Sequence, residues 1–591
     1  MNSSVLNFIT DAPEKSTSFF SLHKYPFENF NSVQSSVLDH FEKDANFIIA
    51  SSTNSGKTIM AEFFLFESLF NKDMKCIYIC PLKSLASEKH GEWSKKDHPF
   101  SAKKITMMAG DEKKEKNADL TIATMESFCH NVRTKPELFQ DVDTIVVDEA
   151  HILGTEDRGP TLEFALTEFS RTNSAKIIFL SGTLPNSEQV GNWLHELNKK
   201  QTYILNSTYQ AVPLNIHYRK YDHKIPNDLF ESIFKICDKH HSDKVLVFVH
   251  SKNVGKKLVN YIQSMGLDTK FHSADLSASK RKSLENEFKN GELRVLVATS
   301  TLAAGVNLPA RRVIIAGVVR GNDYVNKADI RQMIGRAGRK GIDDTGDAYV
   351  FIPSDRVSLV SEYKKVDNVL SKLFVTNSDF EYHKLAGHLL ALINREKNLN
   401  FDKIWNMLCR SFGGFNEKMK ASYLDNTIKK LITMNFVELA NGTYKLKKLG
   451  LASVLFFIDP YDLYSWVINF SKYFKNNVRK DSLLSYYIAS IPSNNKVFMS
   501  QDEREFCSQY VLRLNELLGS SFVETGTVKI GYLYYCLMTN RSAGILSPLI
   551  PMIMKDIGRI LACLNLAAKI CGWNCEESFF LNLKNRICGS E

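Results

Sequence analysis

The residues best suited to chemistry begin with a short loop that ends in Gly-Lys-Thr. Residues 50–58 read Ala-Ser-Ser-Thr-Asn-Ser-Gly-Lys-Thr, and they follow an apolar run and open a helical pattern. In such a loop, backbone N–H groups at the helix N-terminus surround the phosphates of a nucleotide. Lys57 would reach the β- and γ-phosphates of ATP, and the Thr58 hydroxyl would bind magnesium. The predicted nucleotide contacts of this loop are Thr53, Asn54, Ser55, Gly56, Lys57 and Thr58.

One departure leaves a second interpretation of the loop open. The strict phosphate-loop pattern has glycine at the position where Ser51 stands. A Ser/Thr-rich segment before a helix can also act as a helix cap without any ligand, because hydroxyl oxygens accept hydrogen bonds from the first N–H groups. The loop by itself does not decide between a nucleotide site and a cap.

A pair of adjacent carboxylates supplies the second element of such a site. Asp148 and Glu149 follow the apolar run 144–147 and precede Ala150 and His151. Parallel sheets bind ligands at the carboxyl ends of their strands, and two neighbouring carboxylates there are costly without a cation. Asp148 is therefore predicted to hold magnesium, and Glu149 to position and deprotonate the attacking water. The alternative, a solvated helix start, is weakened by the phosphate loop earlier in the chain.

Two arginines form the third element. Residues 332–339 read Gln-Met-Ile-Gly-Arg-Ala-Gly-Arg and are predicted to be helical, which would put Arg336 and Arg339 on one face. Guanidinium groups on one face can reach across a cleft between domains and stabilise charge on the γ-phosphate. Gln332, Arg336 and Arg339 are therefore predicted to be catalytic. A basic solvated face is the alternative, although glycines make a poor surface helix.

Parallel sheets must position these elements. Short apolar runs alternate with amphipathic stretches through the first 200 residues, and the same rhythm returns after residue 240. This alternation predicts α/β domains whose sheets carry helices on both faces. The predicted strands are Phe47–Ala50, Cys76–Cys80, Thr144–Val147, Lys176–Leu180, Lys244–Val249, Arg294–Ala298 and Arg312–Ala316.

Helical periodicity replaces the β-type runs from about residue 376. Asn441-Gly442, between two short β-type runs, predicts a hairpin with a type I′ turn over Asn435–Leu446. A helix over about Tyr423–Thr433 before the hairpin, and another helix after it, predict a winged-helix module. The rest of the chain is predicted to be helical.

Composition limits the class of protein and its partners. The chain has 591 residues, a net charge of +10 and a pI of about 8.8, which favours an acidic partner such as nucleic acid. There is no apolar run of about 18 residues and no secretory signal pattern, so no membrane partner is expected. The 11 scattered cysteines suggest a reducing compartment, and an intracellular location, cytoplasmic or nuclear in a eukaryote, is expected.

Taken in order, these motifs resemble the superfamily 2 helicases of the Ski-like branch. Residues 298–310, Ala-Thr-Ser-Thr-Leu-Ala-Ala-Gly-Val-Asn-Leu-Pro-Ala, closely resemble the HelQ-type DNA repair helicases of archaea and animals. The resemblance covers about residues 25–355, with weaker similarity beyond. It implies two tandem RecA-like, doubly wound parallel-sheet domains, at 1–205 and 206–372, then a winged-helix domain at 373–455 and a helical, ratchet-like domain at 456–591.

The resemblance also implies roles for single residues. Gln34 resembles the adenine-reading glutamine of the family, and Gly305 resembles a nucleotide contact. Ser181-Gly182-Thr183 stands where the family has Ser-Ala-Thr, which couples the ATP state to nucleic-acid binding. The implied nucleic-acid contacts are Pro81, Lys83, Thr124, Ser251, Thr299, Thr301 and Arg559. Together these roles imply a 3′-to-5′ helicase or translocase on single-stranded DNA, with ATP and magnesium, in repair or in defence against foreign DNA.

Three departures from the family pattern bear on unwinding. Asn54 stands where these helicases usually have glycine, although asparagine tolerates positive φ and the loop can still form. Only about 20 residues separate Ala310 from Gln332, so the hairpin that splits the duplex must be short. Leu566 replaces a base-stacking tryptophan, and a lost stack weakens the grip by about 1–3 kcal/mol per base. A leucine of the helical core is the alternative for Leu566.

Two other functions stay open. An RNA helicase would use much the same motor motifs, although RNA-processing members carry a large insertion after the winged helix, for which the chain leaves no room. A nucleic-acid sensor would use ATP as a switch and control a partner protein such as a nuclease, without unwinding. The short hairpin suits the sensor, and competition between matched DNA and RNA strands would test the RNA helicase.

Overall fold

The computed structural model describes residues 5–7, 12–19, 25, 27–109, 117–273, 276–299, 302, 308–320, 323–339, 341–374, 376–377, 382–416, 419–475, 480–494, 497, 499–519 and 525–588. The chain forms two compact units, Met1–Leu370 and Ser371–Glu591. The domain boundaries expected from the sequence stay predictions.

An eight-stranded parallel sheet forms the first part of the first unit. Successive side chains of its central strands point to opposite faces, and both sets are buried. Burial on both faces explains why these strands occur in the sequence as short continuous apolar runs. Across the sheet the strands are Val5–Asn7, Thr202–Asn206, Asn46–Ala50, Lys176–Ser181, Val142–Val147, Lys75–Cys80, Leu120–Thr124 and Ile105–Met108.

Helices connect these strands and cover the sheet. Side chains of the first three helices, including Val33, Met60 and Ala86, share one core with Phe47 and Tyr78 of the strands. A small hairpin of Lys15–Ser16 and Asn29–Phe30 precedes the first helix. The helices are Ser32–Leu38, Lys57–Phe66, Lys83–Trp93, Met125–Thr134, Gly159–Thr172 and Ser187–Asn198.

A six-stranded parallel sheet forms the second part of the first unit. Across this sheet the strands are Leu214–Tyr221, Gly346–Pro353, Arg312–Ile315, Val245–Val249, Val295–Thr299 and Thr269–His272. The helices around it are Asp228–Lys239, Lys252–Ser264, Ala278–Asn290, Lys327–Ile334 and Leu359–Lys364. The prediction of two parallel sheets with intervening helices is confirmed, and each predicted strand is present within one or two residues of its expected bounds.

The segment before the helix Lys327–Ile334 carries a short antiparallel hairpin. Val319–Arg320 pairs with Asp323–Tyr324, so each described strand has only two residues. The expectation of a short hairpin between Ala310 and Gln332 is therefore confirmed.

The second unit is mainly helical around one small hairpin. Val437–Ala440 pairs with Thr443–Leu446, and Asn441 and Gly442 between them have φ values of 52° and 70°. Two positive φ values are those of a type I′ turn, so the predicted hairpin is confirmed. A second pair of short strands is Thr376–Asn377 with Tyr382–His383. The helices are Leu385–Arg395, Phe401–Leu408, Phe412–Phe415, Ala421–Thr433, Lys448–Phe456, Pro460–Lys475, Asp481–Ala489, Gln501–Phe506, Ser508–Leu518, Thr525–Thr539, Ile550–Cys571 and Phe579–Cys588.

Helix Ala421–Thr433, the hairpin and helix Lys448–Phe456 follow one another as a winged-helix module requires. Later helices pack around an aromatic core that includes Phe470, Phe474 and Trp573. Among the described residues, no helix is both long and apolar enough to cross a membrane.

Candidate nucleotide site and strand-binding segments

The phosphate loop, Ala50–Thr58, joins the strand Asn46–Ala50 to the helix Lys57–Phe66. A short 3₁₀ turn, Thr53–Ser55, leads to Gly56, whose φ is 81°. The positive φ favours glycine at position 56, and a Cβ there would also displace Nε2 of Gln34, which would lie 2.4 Å away. The loop therefore has the strand–turn–helix context that phosphate binding needs.

Lys57 is buried inside this loop. Its Nζ donates to the backbone oxygens of Ser51 and Ser52, each at 3.0 Å. Burial lowers the pKa of Lys57, the charges of Glu149 and Asp148 oppose that shift, and Arg336 adds to it. The charges of three other predicted catalytic side chains therefore influence the Lys57 ammonium.

Asn54 does not adopt the left-handed conformation that the sequence argument allowed for. In the described part of the loop the positive φ is at Gly56, while Asn54 belongs to the 3₁₀ turn. The Asn54 amide Nδ2 lies 3.5 Å from the backbone oxygen of Gly338. The side chain therefore points from the first sheet domain towards the second. The side chain of Thr53 lies outside the described residues.

Gln34 lies directly against the phosphate loop. Asn31 and Gln34 form a capping box at the start of the helix Ser32–Leu38, and the Asn31 amide donates to the backbone oxygen of Ser55 at 3.0 Å. Gln34 is buried, and its Oε1 accepts from the Asn31 backbone N–H at 3.1 Å. The segment 31–34 is thereby fixed to the loop, and the adenine contact of Gln34 stays a prediction.

Asp148 and Glu149 lie at the carboxyl end of the strand Val142–Val147. The Tyr78 hydroxyl donates to Oδ2 of Asp148 at 2.9 Å, and the Glu149 backbone N–H donates to Oδ1 at 2.9 Å. Burial raises the pKa of Asp148 to about 6, and the charge of Glu149 adds to the shift. A cation would relieve this cost, and Asp148 and the Thr58 hydroxyl are the residues that would hold magnesium at the predicted site.

Glu149 is held in a conformation that non-glycine residues rarely adopt. Its φ and ψ are 53° and 47°, in the left-handed region. Its Oε2 lies 3.3 Å from Nδ1 of His151, and the same ring nitrogen lies 3.4 Å from the Ser181 hydroxyl. Ser181 in turn donates to the backbone oxygen of Thr183 at 2.9 Å. His151 therefore links the predicted base to the segment Ser181–Thr183.

Sequence reasoning assigned no role to Tyr78 or His151. Tyr78 lies within an apolar strand, and its hydroxyl reaches Asp148 only because the strands Lys75–Cys80 and Val142–Val147 are neighbours. The signal for His151 was present, because it follows Glu149 by two residues. Its partner Ser181, however, comes from another strand.

Arg336 lies in a turn that follows the helix Lys327–Ile334. The Ala310 backbone N–H donates to the Arg336 oxygen at 3.0 Å, and the Gly338 N–H donates to the Ala310 oxygen at 2.8 Å. Burial lowers the pKa of the Arg336 guanidinium, and the charges of Glu149 and Glu88 oppose that shift. The charge of Glu149 thus acts on the Arg336 guanidinium, and the catalytic role of Arg336 stays a prediction.

The prediction that Arg336 and Arg339 share one helix face is wrong. The helix ends at Ile334, and Gly338 has a φ of 88°, which reverses the chain between the two arginines. The Arg339 guanidinium donates to both carboxylate oxygens of Asp343, at 2.8 and 2.7 Å. Gln332 lies on the helix and is half-buried. Catalytic roles for Gln332 and Arg339 stay predictions.

The predicted strand contacts lie at the carboxyl ends of parallel strands. Pro81 and Thr124 follow or end the adjacent strands Lys75–Cys80 and Leu120–Thr124, in which Cys80 pairs with Thr124. Lys83 begins a helix, and the Thr124 hydroxyl caps the next helix by accepting from the Ser127 N–H at 3.3 Å.

The second sheet repeats this arrangement. Ser251 follows Val249, which pairs with Thr299 at the ends of neighbouring strands. The structure thus brings Pro81 near Thr124, and Ser251 near Thr299. The predicted contacts Thr301 and Gly305 lie outside the described residues.

Arg559, on the helix Ile550–Cys571, is engaged in local packing. Its Nη1 donates to the backbone oxygens of Phe456 and Phe457, at 3.0 and 2.5 Å, and its Nη2 donates to Asp556 at 2.7 Å. Phe457 has a φ of 50° and ends the helix Lys448–Phe456. Arg559 therefore stabilises a helix C-terminus. Its contact with nucleic acid stays a prediction, and Leu566 on the same helix is half-buried.

Comparison with known proteins agrees with this geometry. The DEAD/DEAH box helicase family matches residues 31–190, and the Helicase conserved C-terminal domain matches residues 228–341. The chain is 31% identical, over 71% of its length, to the ATP-dependent DNA helicase Hel308 of Pyrococcus horikoshii, and the match covers 64% of that protein. It is 32% identical, over 57% of its length, to the Hel308 of Thermoplasma volcanium, with 56% of that protein covered.

A third relative comes from an animal. Activating signal cointegrator 1 complex subunit 3 of Mus musculus is 31% identical over 56% of this chain, and the match covers 18% of that protein. The chain thus spans less than two thirds of the length of these three relatives. The resemblance inferred from the motifs is confirmed, because the chain carries a DEAD/DEAH box helicase domain and a Helicase conserved C-terminal domain and is similar to the Hel308 DNA helicases.

Proposed function

We propose that this protein is an ATP-driven helicase or translocase that moves 3′ to 5′ along single-stranded DNA. One observation carries the proposal. Lys57, Asp148, Glu149 and Arg336 come from separate segments of the first unit, and the Asn54 amide of the phosphate loop lies 3.5 Å from the Gly338 oxygen of the turn that carries Arg336, which supports a shared nucleotide site. That constellation is what phosphoryl transfer from ATP to water requires.

The residues divide the chemistry as follows. Lys57 and the backbone N–H groups of the phosphate loop hold the β- and γ-phosphates. Magnesium, held by Thr58 and Asp148, would neutralise charge on the phosphate oxygens. Glu149 orients the attacking water and takes its proton. Arg336 stabilises the negative charge that develops on the transferred phosphoryl group.

ATP turnover would drive movement along the strand. The path from Glu149 through His151 to Ser181 joins the attacking-water site to the segment that couples ATP state and strand binding. Pairs of strand contacts at the ends of both sheets would shift relative to each other when the domains close on ATP. Contacts to the phosphate backbone would make binding independent of sequence and sensitive to salt.

DNA is the preferred substrate because the Hel308 relatives are named DNA helicases. The short hairpin, with two described residues in each strand, favours a second candidate. This is a nucleic-acid sensor that uses the same ATP site to control a partner such as a nuclease without separating strands. Buried thiols such as Cys76 and Cys563 support a reducing, intracellular location for either function.

The test is ATP hydrolysis by the full chain with single-stranded DNA, single-stranded RNA, duplex or no nucleic acid, with Glu149→Gln as the blank. Displacement of 3′-tailed and 5′-tailed duplexes is scored in the same samples. Stimulation by single-stranded DNA and displacement of the 3′-tailed duplex alone are expected. Stimulation without displacement supports the sensor, and equal turnover with and without every nucleic acid overturns both functions.

A further inference from the structure

Arg158 joins the two segments of the first sheet domain that are predicted to grip the strand. Its Nη1 donates to the backbone oxygen of Pro81 at 2.5 Å, and its Nε lies 3.1 Å from Oε1 of Glu126. Pro81 opens the loop before one helix, and Glu126 lies in the first turn of the helix capped by Thr124. One guanidinium therefore holds both segments at once.

Arginine suits this position better than lysine. The guanidinium is a rigid planar fork whose N–H groups donate in fixed directions, so one side chain can serve a carbonyl and a carboxylate together. An ammonium group is a single point and would favour one of the two acceptors. The Arg158 and Glu126 side chains are 32% and 43% exposed, so a lost charge can be hydrated and the effect on folding will be small.

The backbone that carries Arg158 also carries the predicted base. The Ile152 N–H donates to the Glu149 oxygen at 3.0 Å, Thr155 donates to Ile152 at 2.8 Å, and Gly159 donates to Thr155 at 3.1 Å. These bonds form an unbroken series of turns from Glu149 to Gly159. A Cβ at Gly159 would lie 2.4 Å from the Leu153 oxygen, so the last turn packs tightly on the earlier ones.

We propose that Arg158 is a positioning residue that sets the spacing of the Pro81 and Glu126 segments for strand binding and transmits that spacing to Glu149. The inference rests on the proposed function, because it assumes that these segments hold a strand. Arg158 acts through Pro81 and Glu126 and does not itself contact the strand. Strand occupancy would then be sensed at the ATP site through residues 149–159.

The experiment compares Arg158→Ala, Arg158→Lys, Glu126→Ala and the Arg158→Ala/Glu126→Ala double variant in the full chain. The concentration of single-stranded DNA that gives half of the maximal ATPase stimulation is measured for each, together with kcat and the KM for ATP. Direct strand binding is measured at several salt concentrations. Lys235→Ala is the matched control, because Lys235 is 70% exposed and forms a surface ion pair with Glu231 on its own helix.

Arg158→Ala should raise the half-stimulating DNA concentration about tenfold, as expected for loss of charge-assisted hydrogen bonds, and leave the KM for ATP near that of the parent. Glu126→Ala should raise the half-stimulating DNA concentration clearly in the parent and much less in the Arg158→Ala background, because the two substitutions remove the same interaction. The half-stimulating DNA concentration of Arg158→Lys should lie closer to that of Arg158→Ala than to that of the parent. The salt dependence of strand binding should keep its slope in all variants, and Lys235→Ala should match the parent.

Three results would overturn the inference. The first is a half-stimulating concentration for Arg158→Ala equal to that of Lys235→Ala. The second is full activity of Arg158→Lys with a salt slope lower by about 1 in Arg158→Ala, which identifies a direct phosphate contact. The third is additive effects of the two alanine substitutions. If the parent neither binds DNA nor responds to it, the proposed function fails and this inference fails with it. If Arg158→Ala does not fold, the comparison of Arg158→Lys with Lys235→Ala decides.

Discussion

The nucleotide site of the first unit and the helix Ile550–Cys571 of the second unit each contain an arginine that is predicted to be functional, Arg336 from its motif and Arg559 from the family resemblance. The charge of Glu149 acts on Arg336, whose backbone oxygen accepts from the Ala310 N–H. Arg559 donates to the C-terminal end of a neighbouring helix and to Asp556. One prediction thus leads to a charged site and the other to a local packing contact.

The two predictions differ in the number of independent sequence features that support each of them. At the nucleotide site, a loop with a required glycine, a strand-end carboxylate pair and an arginine turn come from distant parts of the sequence and meet in space. On the helix Ile550–Cys571 a single arginine carried the inference. A guanidinium has five N–H donors, and nearby carbonyl oxygens are suitable acceptors whatever else the residue does.

The first prediction concerns the turn that carries Arg336. Arg336→Ala should lower the kcat of stimulated ATP hydrolysis by about 10³-fold or more, because an arginine that stabilises transferred phosphoryl charge has effects of that size. Arg339→Ala should have a smaller effect, since Arg339 is bound to Asp343 on its own turn. Steady-state kinetics with saturating DNA measures both.

Both variants should keep the KM for strand within about threefold of the parent, which separates a catalytic loss from a binding loss. Equal losses in Arg336→Ala and Arg339→Ala would show that the two arginines act together, and the distinction drawn from the turn geometry would then be wrong.

The second effect tests whether the nucleotide site extends beyond its charged groups. His151→Ala should lower stimulated turnover about tenfold, because it removes the link from Glu149 to Ser181 and frees the orientation of the base. His151→Gln, which keeps a hydrogen-bonding amide, should recover part of the loss. Identical turnover in His151→Ala and the parent would remove His151 from the site.

Much of the fold could be predicted from the sequence, because buried parallel strands consist of continuous apolar runs, such as 144–147, that are recognisable from the local sequence alone. The end of the helix at Ile334 could not be placed, since Gly335 and Gly338 in an otherwise helical pattern did not show where the chain turns. The hydrogen bonds of Tyr78, His151 and Arg158 also escaped prediction. They depend on which strands and helices become neighbours, and spacing in one segment carries no information on that.

A third prediction concerns the packing contact of Arg559. Arg559→Ala should destabilise the C-terminal end of helix Lys448–Phe456 by about 1–2 kcal/mol, because backbone oxygens lose a charged donor. Hydrogen–deuterium exchange of that helix should therefore become faster. The matched control is Lys569→Ala on the same helix as Arg559, since Lys569 forms an exposed ion pair with Glu577.

The strand-contact prediction for Arg559 makes a different forecast. If Arg559 binds a phosphate, Arg559→Ala should lower the slope of DNA binding against salt by about 1, as loss of one phosphate contact does. Faster exchange with an unchanged slope would assign Arg559 to packing alone. A reduced slope with unchanged exchange would reverse the contrast between the two arginines.

The weakest change in activity is predicted at Asn54, the residue of the phosphate loop that departs from the family pattern. Because Asn54 has no positive φ, glycine is not required there by conformation, and its amide lies 3.5 Å from the Gly338 oxygen, which is long for a hydrogen bond. Asn54→Gly and Asn54→Ala should each change the KM for ATP by no more than about threefold, as the loss of a weak contact allows. If the KM for ATP changes equally in both variants, loss of the side-chain contact to Gly338 is responsible. If the KM for ATP changes only in Asn54→Gly, the greater backbone freedom of glycine in the loop is responsible. A tenfold change in either variant would mean that Asn54 binds nucleotide directly, and the departure from the family pattern would then be functional.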